Sequence, residues 1–259
     1  MAERNKKMRA LILSARRTGE CNRLVTVLSA ENGIFSAILY GGPKSRLRSL
    51  VQPFYAGTLY VYADEARHSV KITDFDAENC HLSLRTSLFK SWAASFACEL
   101  AVKTKCAGDS ERAFVLLSAF LDGTDAVSET EARLGMLRFL WRYLALLGLQ
   151  PDARFCASCK ASLLSHEKDA VFDESQNGFI CRDCRSFSPE YPRTQPQQFS
   201  MDIDALTYIA AVSELPPGQV RKLLVPPCSA GRIKQLLFYL IEKSCGTRLE
   251  TLESGAGIL

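Results

Sequence analysis

The 259-residue chain has few of the residues and patterns that mark membrane proteins or enzymes. No apolar run reaches the roughly 18 residues that a membrane-spanning helix needs, so no membrane span is expected. Only three histidines are present, and none stands beside a serine or cysteine in a nucleophile motif. The glycines before Lys44 echo a phosphate-binding loop, but neither directly precedes the lysine and no earlier glycine completes the motif. These absences favour a binding protein with no catalytic residues.

A secretion signal is also lacking. The apolar run at residues 10–13 is much shorter than the hydrophobic region of a signal peptide, and Arg16 and Arg17 follow it. Ten cysteines without such a signal indicate a reducing compartment. There, paired cysteines bind metals or act in redox chemistry more often than they form disulfides. We therefore expect a cytoplasmic protein.

The charge of the chain is unevenly distributed. The formal net charge is +4, but residues 1–48 contain ten Lys or Arg against three Glu and so carry +7. The other 211 residues therefore carry −3. This asymmetry indicates a polyanionic partner for the N-terminal segment, most simply nucleic acid, although a solvated basic face is the alternative.

Five short β-branched or aromatic runs, separated by polar or glycine-containing segments, predict strands in the first 76 residues. In the fourth run, Leu59 and Val61 fall on one face, while Thr58, Tyr60 and Tyr62 fall on the other. Five such strands fit a small barrel of the oligonucleotide-binding (OB) type, and an SH3-like barrel fits nearly as well. The runs are residues 8–15, 23–29, 33–40, 57–63 and 68–75.

The pattern becomes helical after His81. Segments 87–103 and 111–123 are apolar at three- and four-residue spacing, and the second should stop at Asp122 and Gly123. The next segment opens with a candidate capping box, Ser128 and Glu131, and should end at Gly148. It is apolar nearly all round, so we expect the central buried helix of the domain. Further helices are predicted at 201–212, 217–225 and 230–243, with a loose tail at 251–259.

Two C-x2-C pairs lie between these helical regions. Cys156 and Cys159 are separated by 21 residues from Cys181 and Cys184. Two such pairs supply four thiolates at tetrahedral geometry and leave no open position, so they predict a structural zinc ion. Redox chemistry of the thioredoxin kind would need a C-x-x-C in a βαβ unit, which the pattern lacks; free thiols are the other alternative. His166, in the intervening loop, could replace one cysteine.

We expect an α+β multi-domain protein. The predicted parts are an OB barrel at 1–80, a helical domain in two parts at 81–152 and 188–259, and the inserted cysteine module at 153–187. The second part of the helical domain includes the C-terminal tail.

The basic N-terminal residues should border the barrel. Arg16 and Arg17 are expected in its first loop, and Lys44, Arg46 and Arg48 in a later one. Cationic loops beside exposed aromatic rings are typical of single-strand binding, because charge follows the backbone and rings stack on bases. At least half of the nearby aromatics should instead fill the barrel core. These aromatics are Phe35, Tyr40, Phe54, Tyr55 and Tyr60.

The order of these parts resembles a known family. Residues 12–54, ILSARRTGECNRLVTVLSAENGIFSAILYGGPKSRLRSLVQPF, resemble the start of the bacterial recombination mediator RecO. Residues 138–159, RFLWRYLALLGLQPDARFCASC, resemble that family's central helix leading into its zinc knuckle. The resemblance extends over nearly the whole chain.

The resemblance implies a function in DNA repair and homologous recombination after DNA damage. RecO proteins bind and anneal single-stranded DNA, bind double-stranded DNA, and help load recombinase onto DNA coated by single-strand-binding protein. The implied partners are RecR and the acidic, hydrophobic C-terminal tail of the coating protein. The implied location is at the nucleoid in the cytoplasm.

The same resemblance implies roles for particular residues. Arg16, Arg17, Lys44, Arg46 and Arg48 match the basic barrel residues that bind DNA. In the central helix, Arg138 matches a basic residue near the tail-binding pocket. Arg142 lies four residues on, so it shares a helix face with Arg138. An internal salt bridge of Arg138, with Glu99 or Glu131, is the alternative to partner binding.

A function of a different class is also open. Asp74 and Asp76 would share a strand face and could hold Mg²⁺. The alternative to a mediator is therefore a zinc-stabilised cytosolic nuclease, although a solvated strand end explains these aspartates more simply.

Overall fold

The computed structural model describes residues 4–42, 44–64, 66, 68–165, 169–187, 199–255 and 258. The chain divides into two compact units, Met1–Met136 with Thr247–Leu259, and Leu137–Gly246. Among the described residues, no helix is both long and apolar enough to span a membrane.

The first unit begins with a closed five-stranded barrel. Its order is β1-β2-β3-β5-β4, and all neighbours are antiparallel except β3 and β5, which meet in parallel at Ile38 and Lys71. A short helix, α1 (Arg46–Leu50), lies between the third and fourth strands. This architecture confirms the predicted OB-like barrel. The strands are β1 (Asn5–Thr18), β2 (Asn22–Ser29), β3 (Gly33–Leu39), β4 (Ala56–Asp64) and β5 (Ser69–Asn79).

Strand alternation builds the barrel core as the sequence predicts. Leu59 and Val61 of β4 are buried, whereas Thr58, Tyr60 and Tyr62 on the other face are partly exposed. Fewer of the selected aromatics enter the core than expected. Tyr55 is buried in it and Phe35 packs against it, whereas Tyr40 is 48% exposed and Tyr60 bonds to a surface carboxylate.

The predicted loop positions are wrong for four of the five basic residues; Lys44 lies in a turn, as predicted. Arg16 and Arg17 lie within β1, because the hairpin pairing with β2 continues as far as Thr18 and Asn22. Arg46 and Arg48 lie in α1 rather than in a loop. This turn is helical because its leucines pack against the barrel core, which leaves its basic side chains on the outside.

Helices α2 (Leu88–Lys103) and α3 (Ser110–Ala126) complete most of the first unit, with 3-10 turns at Leu82–Arg85 and Lys105–Gly108. Ser87 caps α2 by accepting a hydrogen bond from the backbone N–H of Lys90. The expected stop at Gly123 is wrong, since α3 continues to Ala126 and buries Thr124 in its last turn.

The C-terminal segment is not a loose tail over its described residues, because α9 (Glu250–Ser254) forms there. The Glu99 carboxylate on α2 accepts hydrogen bonds from the backbone N–H groups of Glu250 and Thr251, at 3.0 and 2.9 Å. A carboxylate at a helix N-terminus satisfies backbone donors that the helix itself leaves unpaired.

Helix α4 (Glu129–Leu146) begins in the first unit and continues into the second. The hydroxyl of Ser128 accepts from the backbone N–H of Glu131, as the capping box predicts. At the other end, Gly148 takes a left-handed φ of 70° and the Leu149 N–H bonds to the carbonyl of Leu144, as in a Schellman motif. All residues from 136 to 141 are buried, as the apolar pattern predicts, whereas Glu129 and Thr130 in the first turn are exposed.

The second unit also contains α6 (Ile203–Glu214), α7 (Pro217–Val220) and α8 (Pro227–Cys245). The helix predicted at 217–225 is reduced to the single turn α7, and Leu224 beyond it is 97% exposed. The cysteine module has a small sheet of order β7-β6-β8 and a short helix, α5 (Arg182–Phe187). Strands β6 (Ala170–Asp173) and β7 (Gly178–Cys181) lie within the predicted module, whereas β8 (Ser200–Met201), which pairs with β6, comes from beyond its predicted end at residue 187.

Candidate metal centre and DNA-binding surface

The two cysteine pairs converge on one point. The Sγ atoms of Cys156, Cys159, Cys181 and Cys184 all lie within 4.8 Å of one another. The first pair forms a tight turn in which the Lys160 N–H donates to the Cys156 carbonyl at 3.0 Å. The second pair joins the end of β7 to the first turn of α5. Among the described residues, these cysteines are the one group of three or more side chains arranged to hold a metal ion.

The spacing of the sulfurs fits a tetrahedral metal site. A Zn–S bond of about 2.3 Å puts the corners of a regular tetrahedron about 3.8 Å apart. The Sγ atoms of Cys159 and Cys181 are 3.8 Å apart. Four thiolates complete the tetrahedron, so the group leaves no position for substrate and is suited to a structural ion. His166, the possible substitute ligand, lies outside the described residues.

The electrostatics of the four thiols also favour a cation. Burial raises the pKa of Cys156, but hydrogen bonds from the backbone N–H groups of Cys159, Cys181 and Ser158 outweigh it and lower that pKa to about 6. The pKa of Cys184 is raised to about 12, first by its hydrogen bond with the Cys159 thiol and then by burial. One thiolate thus forms readily while another is opposed by its neighbours. A divalent cation would offset that repulsion and hold all four sulfurs deprotonated.

A row of outward-facing side chains crosses one side of the barrel. Arg16 on β1 pairs with Leu24 on β2, Leu24 pairs with Ile38 on β3, and Ile38 pairs with Lys71 on β5. Residues paired directly across neighbouring strands share a face of the sheet. The Lys71 ammonium also lies 5.4 Å from the centre of the exposed Tyr40 ring. Cationic ends, an apolar middle and an exposed ring therefore lie together.

A second basic group lies one residue along the same hairpin, near its turn, and its side chains therefore leave the opposite face of the sheet. Arg17 on β1 pairs with Arg23 on β2, and the pKa of Arg23 is lowered first by burial and then by the charge of Arg48. Helix α1 thus brings Arg48 close to the hairpin. Lys44 and Arg46 are exposed beside it on the same segment. We call the residues of these two groups that carry charge the basic strip: Arg16, Arg17, Arg23, Arg48 and Lys71.

Sequence reasoning missed two members of the basic strip. Arg23 opens the predicted second strand, so hairpin pairing with Arg17 could have indicated it. Lys71 joins the strip only through the parallel contact of β3 with β5, which no local pattern reveals.

The aspartates of the nuclease alternative lie on β5. The Asp74 carboxylate accepts from the backbone N–H of Phe75 at 2.9 Å, and Asp76 accepts from the Tyr60 hydroxyl at 3.1 Å. No third histidine, cysteine or acidic ligand joins them to form a metal-binding group within the described ranges.

The arginines of the central helix belong to a second basic cluster. Arg138 is 8% exposed, and its Nη1 donates to the Tyr208 hydroxyl at 3.0 Å. Burial lowers the pKa of Arg142, and the charges of Arg138 and Arg221 lower it further. Three guanidinium groups therefore lie near one another. Sequence reasoning did not place Arg221 in this cluster. The pattern predicted a helix over 217–225, whereas α7 ends at Val220 and Arg221 follows it.

Comparison with known proteins assigns the family. The model described as "Recombination protein O N terminal" matches residues 1–80, and that described as "Recombination protein O C terminal" matches residues 85–253. Three similar proteins are each named DNA repair protein RecO. That of Anaeromyxobacter sp. strain K is 30% identical, over 94% of this chain and 92% of the relative. The protein of Moorella thermoacetica is 25% identical, over 93% of this chain and 86% of the relative. The protein of Dehalococcoides mccartyi is 28% identical, over 72% of this chain and 72% of the relative. The chain therefore belongs to the recombination protein O (RecO) family.

Proposed function

We propose that the protein is a non-enzymatic mediator of DNA repair and homologous recombination. In this role it binds and anneals single-stranded DNA, also binds double-stranded DNA, and helps load recombinase onto DNA coated by single-strand-binding protein. The observation that carries the proposal is the basic strip on the OB-like barrel of a RecO-family chain. Such a protein would act at the nucleoid.

The chemistry of the basic strip suits a flexible polyanion. Its guanidinium and ammonium groups can pair with phosphates, while Tyr40 offers an exposed ring next to Lys71 on which a base can stack. Neutralising phosphates also lowers the repulsion between two DNA strands, which is what annealing requires. The strip reads backbone charge rather than base edges, so we expect little sequence preference.

We further propose that the four cysteines hold Zn²⁺ in a structural role. The four-sulfur donor set and its tetrahedral spacing support this choice, since soft thiolates select zinc among the common divalent ions. Cys156, Cys159, Cys181 and Cys184 would be the ligands, and the bound ion would join the first knuckle to β7 and α5.

The second basic cluster supports a partner site for the tail of single-strand-binding protein. Arg142 and Arg221 can pair with acidic residues, and the exposed Leu224 offers an apolar contact close by in the chain. Arg138 would position this cluster through Tyr208 rather than meet the tail alone. RecR is proposed as a second partner on the strength of the family.

A strand-annealing assay tests the proposed function. Complementary labelled strands are mixed with protein, with and without single-strand-binding protein, in EDTA and in Mg²⁺. We expect faster annealing in both buffers and intact strands in both. Cleavage that requires Mg²⁺ and is lost in the Asp74→Asn, Asp76→Asn variant would favour the nuclease alternative instead.

A further inference from the structure

An open cleft of about 460 Å³ lies beside the first cysteine pair, in the second unit. Its volume is within the range of about 300 to 1,000 Å³ that is usual for small-ligand sites. It shares no lining residue with the basic strip or with the arginine cluster. Among the residues that line it are Asp152, Phe155, Ala157, Lys160, Gln176 and Asn177.

The cleft exposes an aromatic ring that its neighbours hold in place. Phe155 is 46% exposed, although Cys156 next to it is fully buried. A backbone bridge joins Phe155 to Ser162, and the Arg154 guanidinium lies 5.6 Å from the ring centre. A large apolar side chain kept at the surface in a fixed position is what base stacking needs, because every nucleobase has a face that can lie on such a ring.

The lining on the β6–β7 side of the cleft is held by a backbone hydrogen bond and by close packing. The Ala157 N–H donates to the Phe179 carbonyl at 2.8 Å, and a Cβ at Gly178 would lie 2.8 Å from that of Ala157. This close approach fixes the knuckle against the β6–β7 turn. On that turn, the amide nitrogens of Gln176 and Asn177 donate to a hydroxyl of the knuckle at 3.3 Å and to a backbone carbonyl at 3.2 Å, so both side chains help to hold the lining in place.

The charges of the cleft permit a nucleotide without attracting one strongly. Asp152 is engaged by Arg154 through its backbone N–H, Nε and Nη2, at 2.9, 3.1 and 3.3 Å. Arg154 also pairs with Glu214 through Nη1 at 2.7 Å, so two carboxylates share one guanidinium, and the Lys160 ammonium in the cleft balances the negative charge that remains. Binding should therefore depend on stacking more than on ion pairing.

We propose that this cleft binds one unpaired base of single-stranded DNA, which stacks on Phe155 while Lys160 contacts its phosphate. The inference rests on the proposed function, since it takes single-stranded DNA as the ligand. It gives the cysteine module a direct part in DNA binding beyond holding the fold.

A tryptophan reporter tests the proposal. In the Phe155→Trp variant, a long thymidine homopolymer should quench the fluorescence of the introduced indole as it binds. Wild type supplies the background of Trp92 and Trp141, which are only 6% and 1% exposed. The matched control is Leu164→Trp, because Leu164 is 37% exposed in the same module and does not line the cleft.

Quenching in Phe155→Trp above the wild-type and Leu164→Trp signals supports the proposal. If fluorescence anisotropy of labelled DNA shows saturation but Phe155→Trp shows no extra quenching, the proposed base site is overturned and the proposed function stays intact. If wild type itself fails to bind DNA, both fail together.

Affinity gives a second, independent reading. Loss of one stacked base should weaken binding by about 5-fold to 140-fold in Phe155→Ala, with an unchanged dependence on salt. A Phe155→Ala variant whose circular dichroism spectrum shows that it is folded, but which binds DNA as tightly as wild type, would contradict the assignment of the cleft as a base site. Loss of salt dependence would assign the effect to the charges around the ring instead.

Discussion

The basic strip makes a quantitative prediction about salt. If each of its five cationic groups neutralises one phosphate, the slope of log K against log[salt] for single strands should be about −3.5, at about 0.7 per contact. Replacing Arg17 and Arg23 by Gln removes two contacts and should reduce the slope to about −2.1. Between 50 and 200 mM salt, wild type should then lose about 130-fold in affinity and the variant about 20-fold.

The assay is fluorescence anisotropy of a labelled thymidine oligonucleotide at several salt concentrations. The matched control is the Arg232→Gln, Lys243→Gln variant, which also removes two positive charges but from α8, where each is paired with a carboxylate. It should keep the wild-type slope, because long-range net charge is screened at these ionic strengths. Equal slopes for wild type and the Arg17, Arg23 variant would refute the reasoning. An equally reduced slope in the control would mean that net charge alone drives binding.

Three further predictions concern the metal, the C-terminal helix and the arginine cluster. Purified protein should contain close to one zinc per chain, and the Cys181→Ser variant should lose the ion and unfold at a lower temperature in the second unit. Metal analysis that finds no zinc in wild type, together with a Cys181→Ser variant as stable as wild type, would contradict this. Glu99→Gln should lower the unfolding temperature near pH 6. The difference in unfolding temperature between wild type and variant should narrow as the pH falls below about 4.3. Burial raises the pKa of Glu99, but hydrogen bonds from Thr251 and Glu250 outweigh burial, so the pKa is lowered in the folded state. The stability that the carboxylate contributes is therefore present above its pKa in the unfolded chain and is lost as the pH falls through its pKa in the folded protein. A difference in unfolding temperature that stays constant across pH would exclude this role. Labelled tail peptide should bind Arg221→Ala several-fold more weakly than wild type. If the Arg221→Ala and Arg138→Ala variants are folded and both bind the peptide as tightly as wild type, the tail site lies elsewhere.

The elements that the sequence predicts well are those with local causes. The strands of the barrel follow from alternation, and α4 follows from a capping box at Ser128 and a left-handed glycine at Gly148. The cysteine cluster follows from spacing alone, because a C-x2-C turn always directs its two thiols to one side.

The elements that were predicted wrongly depend on contacts between distant residues. Helix α9 exists where Glu99, about 150 positions away, caps its first turn. The helix expected at 217–225 stops at Val220, since the leucines that follow have no core to pack into. Apolar spacing predicts a helix only where a partner surface buries it.

His81 shows the same limit. The sequence indicates only that His81 is not part of a recognisable nucleophile motif, whereas the structure buries it between two acceptors. Its Nδ1 lies 2.6 Å from the carbonyl of Phe54 and its Nε2 lies 2.7 Å from the Asp122 carboxylate. Through these two contacts His81 links Phe54, just before β4, to α3.

The most direct test of the mediator function is the rate at which complementary strands anneal when both are coated with single-strand-binding protein. The account predicts that wild type accelerates annealing in EDTA without cutting either strand, and that the Arg17→Gln, Arg23→Gln variant does so more slowly at 200 mM salt. Annealing no faster than with the coating protein alone would contradict the central claim.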